Sequence, residues 1–167
     1  MHTTVCRAVV VAVSLAIAGC ATRQPVSDDL VGLYKDQVLP AEGRVTSADT
    51  LAPLSRLYRQ HFIEPLKRLD ALRDEEVEAG YWTAYSVAFY SHYYDPQSHE
   101  ALLLDAGHYF DELSRRGKVS DRDARFLHHL YVTVRQFDRA ESIRLRHPDA
   151  GIAPLPAIRT DAAFDPD

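Results

Sequence analysis

Apolar side chains recur every three or four positions along most of the chain, the period of a helix with one buried face. Leu30, Leu33, Tyr34 and Val38 mark a first helix from Asp28, which Pro40 ends. After the loop "PAEGRVTS", a longer pattern runs from Thr50 to Leu72, with Leu51, Leu54, Tyr58, Phe62, Leu66 and Leu69 on one face. Pro53 suits the first turn of that segment, whereas Pro65 lies inside it and predicts a kink or split near Phe62. A third helix is expected from Asp74 to Tyr93, with Asp74, Glu75 and Glu76 in a first turn whose dipole favours them.

Local signals punctuate the rest. Asp95-Pro96 reads as a cap followed by a proline at the first helical position. The fourth helix should end near Arg116, with Gly117 as a left-handed terminator. Ser120 and Asp123 have capping-box spacing, with Asp in place of the usual Glu. A fifth helix is expected to about Arg135, and a short sixth from Asp138 to His147, closed by Pro148. Residues 149–167 read as an extended, proline-containing tail that packs Ile152, Leu155 and Ile158 back on the helices. No convincing strand is visible, and Val and Ile are sparse between Val45 and Lys118. The fold class expected is all-α: an antiparallel stack of about six helices over 28–148.

Within that stack, Leu127, Tyr131, Phe137 and Ala140 stand at the large, aromatic, aromatic and small positions of a helical hairpin. In this the segment resembles part of a tetratricopeptide repeat, although His128 and Arg135 occupy places where that pattern has small residues. The resemblance covers one hairpin and implies stacked helical hairpins.

The N-terminal pattern differs from everything after it. An apolar run of 11 residues, Ala8 to Ala18, follows Arg7. Spanning a bilayer takes roughly 20 residues, so the run has the grammar of a secretory signal rather than of a membrane helix. It ends in Ile17-Ala18-Gly19-Cys20. That stretch resembles the lipobox of bacterial lipoproteins, which implies cleavage after residue 19 and acylation of Cys20. It also implies a tether over 20–27. Ala21, in place of Asp, implies by the same resemblance the outer membrane, with the folded part facing the periplasm. The remaining cysteine, Cys6, falls in the segment that would be removed. A chain so processed has neither a free thiol nor a disulfide, which excludes cysteine nucleophiles and Cys-based zinc sites. Fully extended, the tether reaches roughly 25–30 Å, which holds the folded part close to the membrane.

Charge narrows the choice of partner. The chain carries 19 basic and 24 acidic side chains, a net charge of −5. Removing Arg7 with the signal leaves 18 basic residues and a net charge of −6. Nucleic acid is a poor match for such a surface, and a basic protein a better one. Arg135, Arg139, Arg144 and Arg146 form a basic edge on the last helices, interspersed with Asp138 and Glu141.

The densest chemical signal is "YWTAYSVAFYSHYY", seven aromatics in the fourteen residues from Tyr81 to Tyr94. One apolar stripe of about 100° cannot hide that many rings, so some are expected at the surface. Tyr81, Trp82, Tyr85, Tyr90, Tyr93 and Tyr94 are therefore the candidate binding residues, since Tyr and Trp are the usual anchors of protein interfaces. His92, Asp95, His99, Glu100, His108 and Glu112 are scattered over the third and fourth helices, with His128 and His129 on the fifth. They form no HExxH motif, and no metal or other cofactor is expected. Glycine-rich phosphate loops and a G-x-S-x-G elbow are absent from the sequence. Together these features lead to the expectation of a lipid-anchored periplasmic protein-binding module without catalytic activity. Its role would be an envelope adaptor, or an inhibitor or immunity protein against a wall-degrading or membrane-active toxin. The competing expectation is a cell-wall hydrolase using carboxylates or a His/Glu metal site.

Overall fold

Ser47 begins the first long helix by exchanging caps with Thr50: its hydroxyl accepts the Thr50 N–H at 3.3 Å, and Thr50 Oγ1 accepts the Ser47 N–H at 3.0 Å. A computed structural model describes residues 29–155. The chain is all-α, with no strand among the described residues. Its helices are α1 (Leu30–Leu33), α2 (Ala48–His61), α3 (Ile63–Leu66), α4 (Asp74–Tyr94), α5 (Pro96–Arg115), α6 (Asp121–Thr133) and α7 (Phe137–Arg146). The signal segment, Cys20 and Ile158 lie outside the described residues.

The boundaries follow local chemistry. α1 widens into a π-helical turn, Tyr34–Val38, in which the Leu39 N–H reaches the Tyr34 carbonyl at 2.9 Å. The long pattern expected from Thr50 to Leu72 breaks at Phe62, giving α2, α3 and a short 3₁₀ turn, Leu69–Ala71. Capping by Ser47 starts α2 two residues early, so Pro53 falls in the second turn rather than the first. Pro96 stands at the first turn of α5, but Asp95 makes no side-chain cap. Gly117, at φ +67°, ends α5 in a Schellman motif: the Lys118 N–H bonds the Leu113 carbonyl at 2.9 Å and the Gly117 N–H bonds the Ser114 carbonyl at 3.0 Å. Ser120 and Asp123 form the capping box of α6, and the Asp carboxylate accepts the Ser120 N–H at 2.8 Å. α6 stops at Thr133, and Arg135 takes φ +61° in the turn to α7.

α4 is the central helix. Every residue from Ala79 to Ala88 is buried, which happens only to a helix covered on several sides. α5 packs along it as an antiparallel partner, α2 and α1 cover other faces, and the α6–α7 hairpin closes the stack. Tyr58, Phe62, Tyr81, Tyr109 and Phe110 fill the middle. The three fully buried phenols find partners, as burial requires: Tyr58 donates to Asp105 at 2.8 Å, Tyr109 to the Phe62 carbonyl at 2.7 Å and Tyr81 to the Asp123 carbonyl at 2.9 Å. Ile152 and Leu155 pack against the core, and Arg125 donates to the Ala150 carbonyl at 3.0 Å. The start of the tail thus lies along α6.

Candidate functional site

The central position of α4 sorts its aromatic run by depth. Tyr81 is fully inside, Trp82 and Tyr85 are buried, Phe89 and Tyr90 are half-buried, and Tyr93 and Tyr94 are 56% and 36% exposed. Covering by several neighbours hides more rings than the single stripe assumed from the sequence. Trp82, Tyr85, Phe89 and Tyr93 climb one face of the helix in steps of three and four. Their successive ring centroids are 5.6, 6.3 and 5.6 Å apart. These spacings are those of favourable aromatic pairs. The ladder begins in the interior and ends in solvent.

α6 supplies the facing wall. Phe126 meets Trp82 and Tyr85 edge-on, at 5.5 and 5.8 Å. One turn earlier, the Arg122 guanidinium lies 4.8 Å over the Trp82 ring and 5.5 Å from that of Phe126. The third wall comes from the N-terminal segment, through Tyr34 and Glu42. The Ser86 hydroxyl donates to the Glu42 carboxylate, and the Gly43 N–H donates to the Tyr90 hydroxyl at 2.8 Å. These two bonds hold the 39–47 loop against α4. Between the three walls lies a cleft of about 340 Å³.

Polar groups in the cleft fall into two kinds. Glu42 is engaged by Ser86. Among the described residues the hydroxyls of Tyr34 and Tyr85 and the guanidinium of Arg122 have no hydrogen-bond or ion-pair partner, and Arg122 is held only by the rings. Burial, with Glu42 nearby, pushes the Tyr85 phenol up to about 12. Tyr34 is pushed up by burial and Glu42, while Arg122 pulls it the other way. Both phenols therefore stay protonated and can donate.

Of the sequence candidates, Trp82, Tyr85 and Tyr90 line the cleft, Tyr93 and Tyr94 continue it onto the surface, and Tyr81 belongs to the core. Sequence reasoning missed Tyr34, Glu42, Phe89, Arg122 and Phe126. The available signal was Phe126, a large ring on the otherwise charged face of "SDRDARFLHH".

The scattered histidines and carboxylates do not gather into one cluster among the described residues. Among the described residues no three His, Cys, Asp or Glu side chains converge as for a metal ion. Glu112 is bound to Arg115 and Arg116 at 2.6 Å each. His99 Nδ1 lies 2.8 Å from the Ala88 carbonyl, and its ring packs 5.1 Å from that of His92; burial lowers its pKa. A second hollow, of about 270 Å³, lies between α5, α6 and α7, where Arg146 pairs with Asp111 at 2.9 Å. No helix among the described residues is long and apolar enough to cross a membrane. No protein-family model matches the chain, and no curated protein or solved structure proved similar to it.

Proposed function

We propose that the protein is a lipid-anchored, periplasm-facing module that binds another protein through the aromatic face of α4 and α6. The observation that supports this is the ladder from Trp82 to Tyr93, which carries ring surface continuously from a cleft into solvent. Rigid Tyr and Trp rings bring large contact area at small entropic cost, so they dominate the energetics of protein interfaces. The Ile17-Ala18-Gly19-Cys20 stretch supplies the anchor in this reading. Within the class, an adaptor of an envelope assembly and an inhibitor or immunity protein use such a face alike, and the neighbouring genes separate them.

The test is site-specific photo-crosslinking in intact envelopes. A crosslinker placed at 93 or 94 should trap a discrete protein, and one placed at 67, on the exposed α3 side, should not. Equal trapping at all three positions, or none at any, would remove the aromatic face from the proposal.

A further inference from the structure

Arg122 is in an unfavourable place for a cation. It is the second residue of α6, where the positive end of the helix dipole repels it. The adjacent Asp123 is occupied by the Ser120 capping box, and no other carboxylate of the described residues pairs with Arg122. Its guanidinium carbon instead lies 4.8 Å from the centre of the Trp82 ring and 5.5 Å from that of Phe126, and no hydrogen bond among the described residues engages its N–H groups. The Tyr34 and Tyr85 hydroxyls, also unengaged, border the same cleft.

A set of donors without acceptors calls for a ligand rich in oxygen lone pairs, and a planar guanidinium selects a carboxylate. The surrounding rings call for an apolar body attached to it. About 340 Å³ lies at the low end of ligand-pocket volumes, which start at roughly 300 Å³. That suits one large side chain and its neighbour rather than a whole cofactor. Glu42, held by Ser86 on the opposite wall, is an acceptor, and the N–H groups of a peptide backbone can meet it.

We infer that the cleft receives a peptide segment of the partner in which a carboxylate stands beside a large apolar side chain, the carboxylate bound by Arg122 and the tyrosine hydroxyls and the side chain packed against Trp82 and Phe126. This rests on the protein-binding reading and adds to it the chemistry of the epitope. The partner is thus acidic at the point of contact, whatever its overall charge.

Trp82 is the only tryptophan in the chain, so intrinsic emission reports directly on the cleft. The full-length chain, in detergent, is titrated with three blocked peptides: Ac-Ala-Phe-Asp-Ala-NH2, its Asn analogue and its Phe-to-Ala analogue. The Phe-Asp peptide should change the emission saturably and bind about tenfold or more tighter than either analogue, the scale of a charged hydrogen bond. Arg122→Gln, at an exposed position, should keep the helical circular dichroism and bring the Asp and Asn peptides to equal affinity. Equal affinity of those two for the wild type overturns the inference, and so does the lack of a saturable change with any peptide. Crosslinking at 93 would survive either result, which separates this failure from that of the protein-binding reading. The chain's own Phe164-Asp165 has the same chemistry. If Phe164→Ala alone shifts the resting Trp82 emission, the occupant is this segment, and the assignment to a partner is overturned.

Discussion

Gly80 and Tyr109 touch so closely that a Cβ at position 80 would stand 2.2 Å from Tyr109 Cε1. The ring is fixed from its other end by the bond from its hydroxyl to the Phe62 carbonyl. α4 and α5 therefore meet backbone to ring at this level. Gly80→Ala gains up to about 1 kcal/mol of helix propensity, but it must displace a ring that cannot move without losing its hydrogen bond. The expected outcome is a net loss of about 1–3 kcal/mol, the usual cost of overpacking, read by urea unfolding. A more stable variant would show that the contact is softer than the geometry indicates.

Arg116 ties the end of α5 to the corner that precedes α4. It donates to the carbonyls of Leu69 and Leu72 at 2.7 and 2.8 Å, to Asp74 at 3.0 Å and to Glu112 at 2.6 Å. Arg116→Ala should cost about 2 kcal/mol, because its four part-buried hydrogen bonds, where the end of α5 meets the corner before α4, are lost together. Arg116→Lys keeps the charge but not the fork and should recover less than half of that loss. Chemical denaturation of both variants measures the difference.

Glu112 makes part of the stability depend on acid. The hydrogen bonds from Arg115 lead the causes that hold its carboxyl down at about 2, against an ordinary 4.5, and Arg116 adds to them while burial opposes. A pKa depressed by folding contributes stability that is complete above the unfolded value and is lost as pH falls through the folded one. The wild type should therefore lose more stability than Glu112→Gln between about pH 4.5 and 2. Parallel pH profiles of the two proteins would contradict this.

Depth along α4 predicts opposite behaviour at its two ends. Tyr81→Phe removes the buried bond from the phenol to the Asp123 carbonyl and should destabilise by about 0.5–1.5 kcal/mol. Tyr93→Ala removes a ring that is 56% exposed and should stay within about 0.5 kcal/mol of the wild type. Thermal melts distinguish them, and only the second substitution should weaken partner trapping from position 94.

Cys20→Ala should move the protein from the membrane to the soluble fraction of the envelope, since a single cysteine carries the whole proposed anchor. Intact-mass measurement of the wild type checks the same point: an unmodified Cys20 would end the anchoring proposal.

The helices were legible wherever a local device ended them. Gly117, the Ser120–Asp123 box and Pro96 act within a few residues, so their effect can be read from the string. The split of the second segment at Phe62 followed from Pro65. The π-helical turn at Tyr34 left no such mark, nor did the early start of α2, which depends on Ser47 and Thr50 exchanging caps. The aromatic run announced a site but not its shape. Arg122, Phe126, Tyr34 and Glu42 lie 40 or more residues from Trp82 in sequence or on other helices, and only packing brings them to one cleft. Tyr81 looked equivalent to Tyr85 because a helical wheel has no depth; the covering of α4 by four neighbours is a tertiary fact.

One wall of the cleft is held by few fully buried side chains. α1 and its π-helical turn contribute only Leu30 and Val38 to the fully buried core, and the loop behind them is held to α4 by the Gly43–Tyr90 and Ser86–Glu42 bonds. Segments with so few buried contacts open at low free-energy cost while the rest of a domain stays closed. Whatever fills the cleft must then also latch this wall. Occupancy should be visible as slower amide exchange over residues 31–39, on the same segment that leads back toward Cys20, so that a binding event in the cleft is registered in the stretch of chain that leads to the proposed lipid anchor.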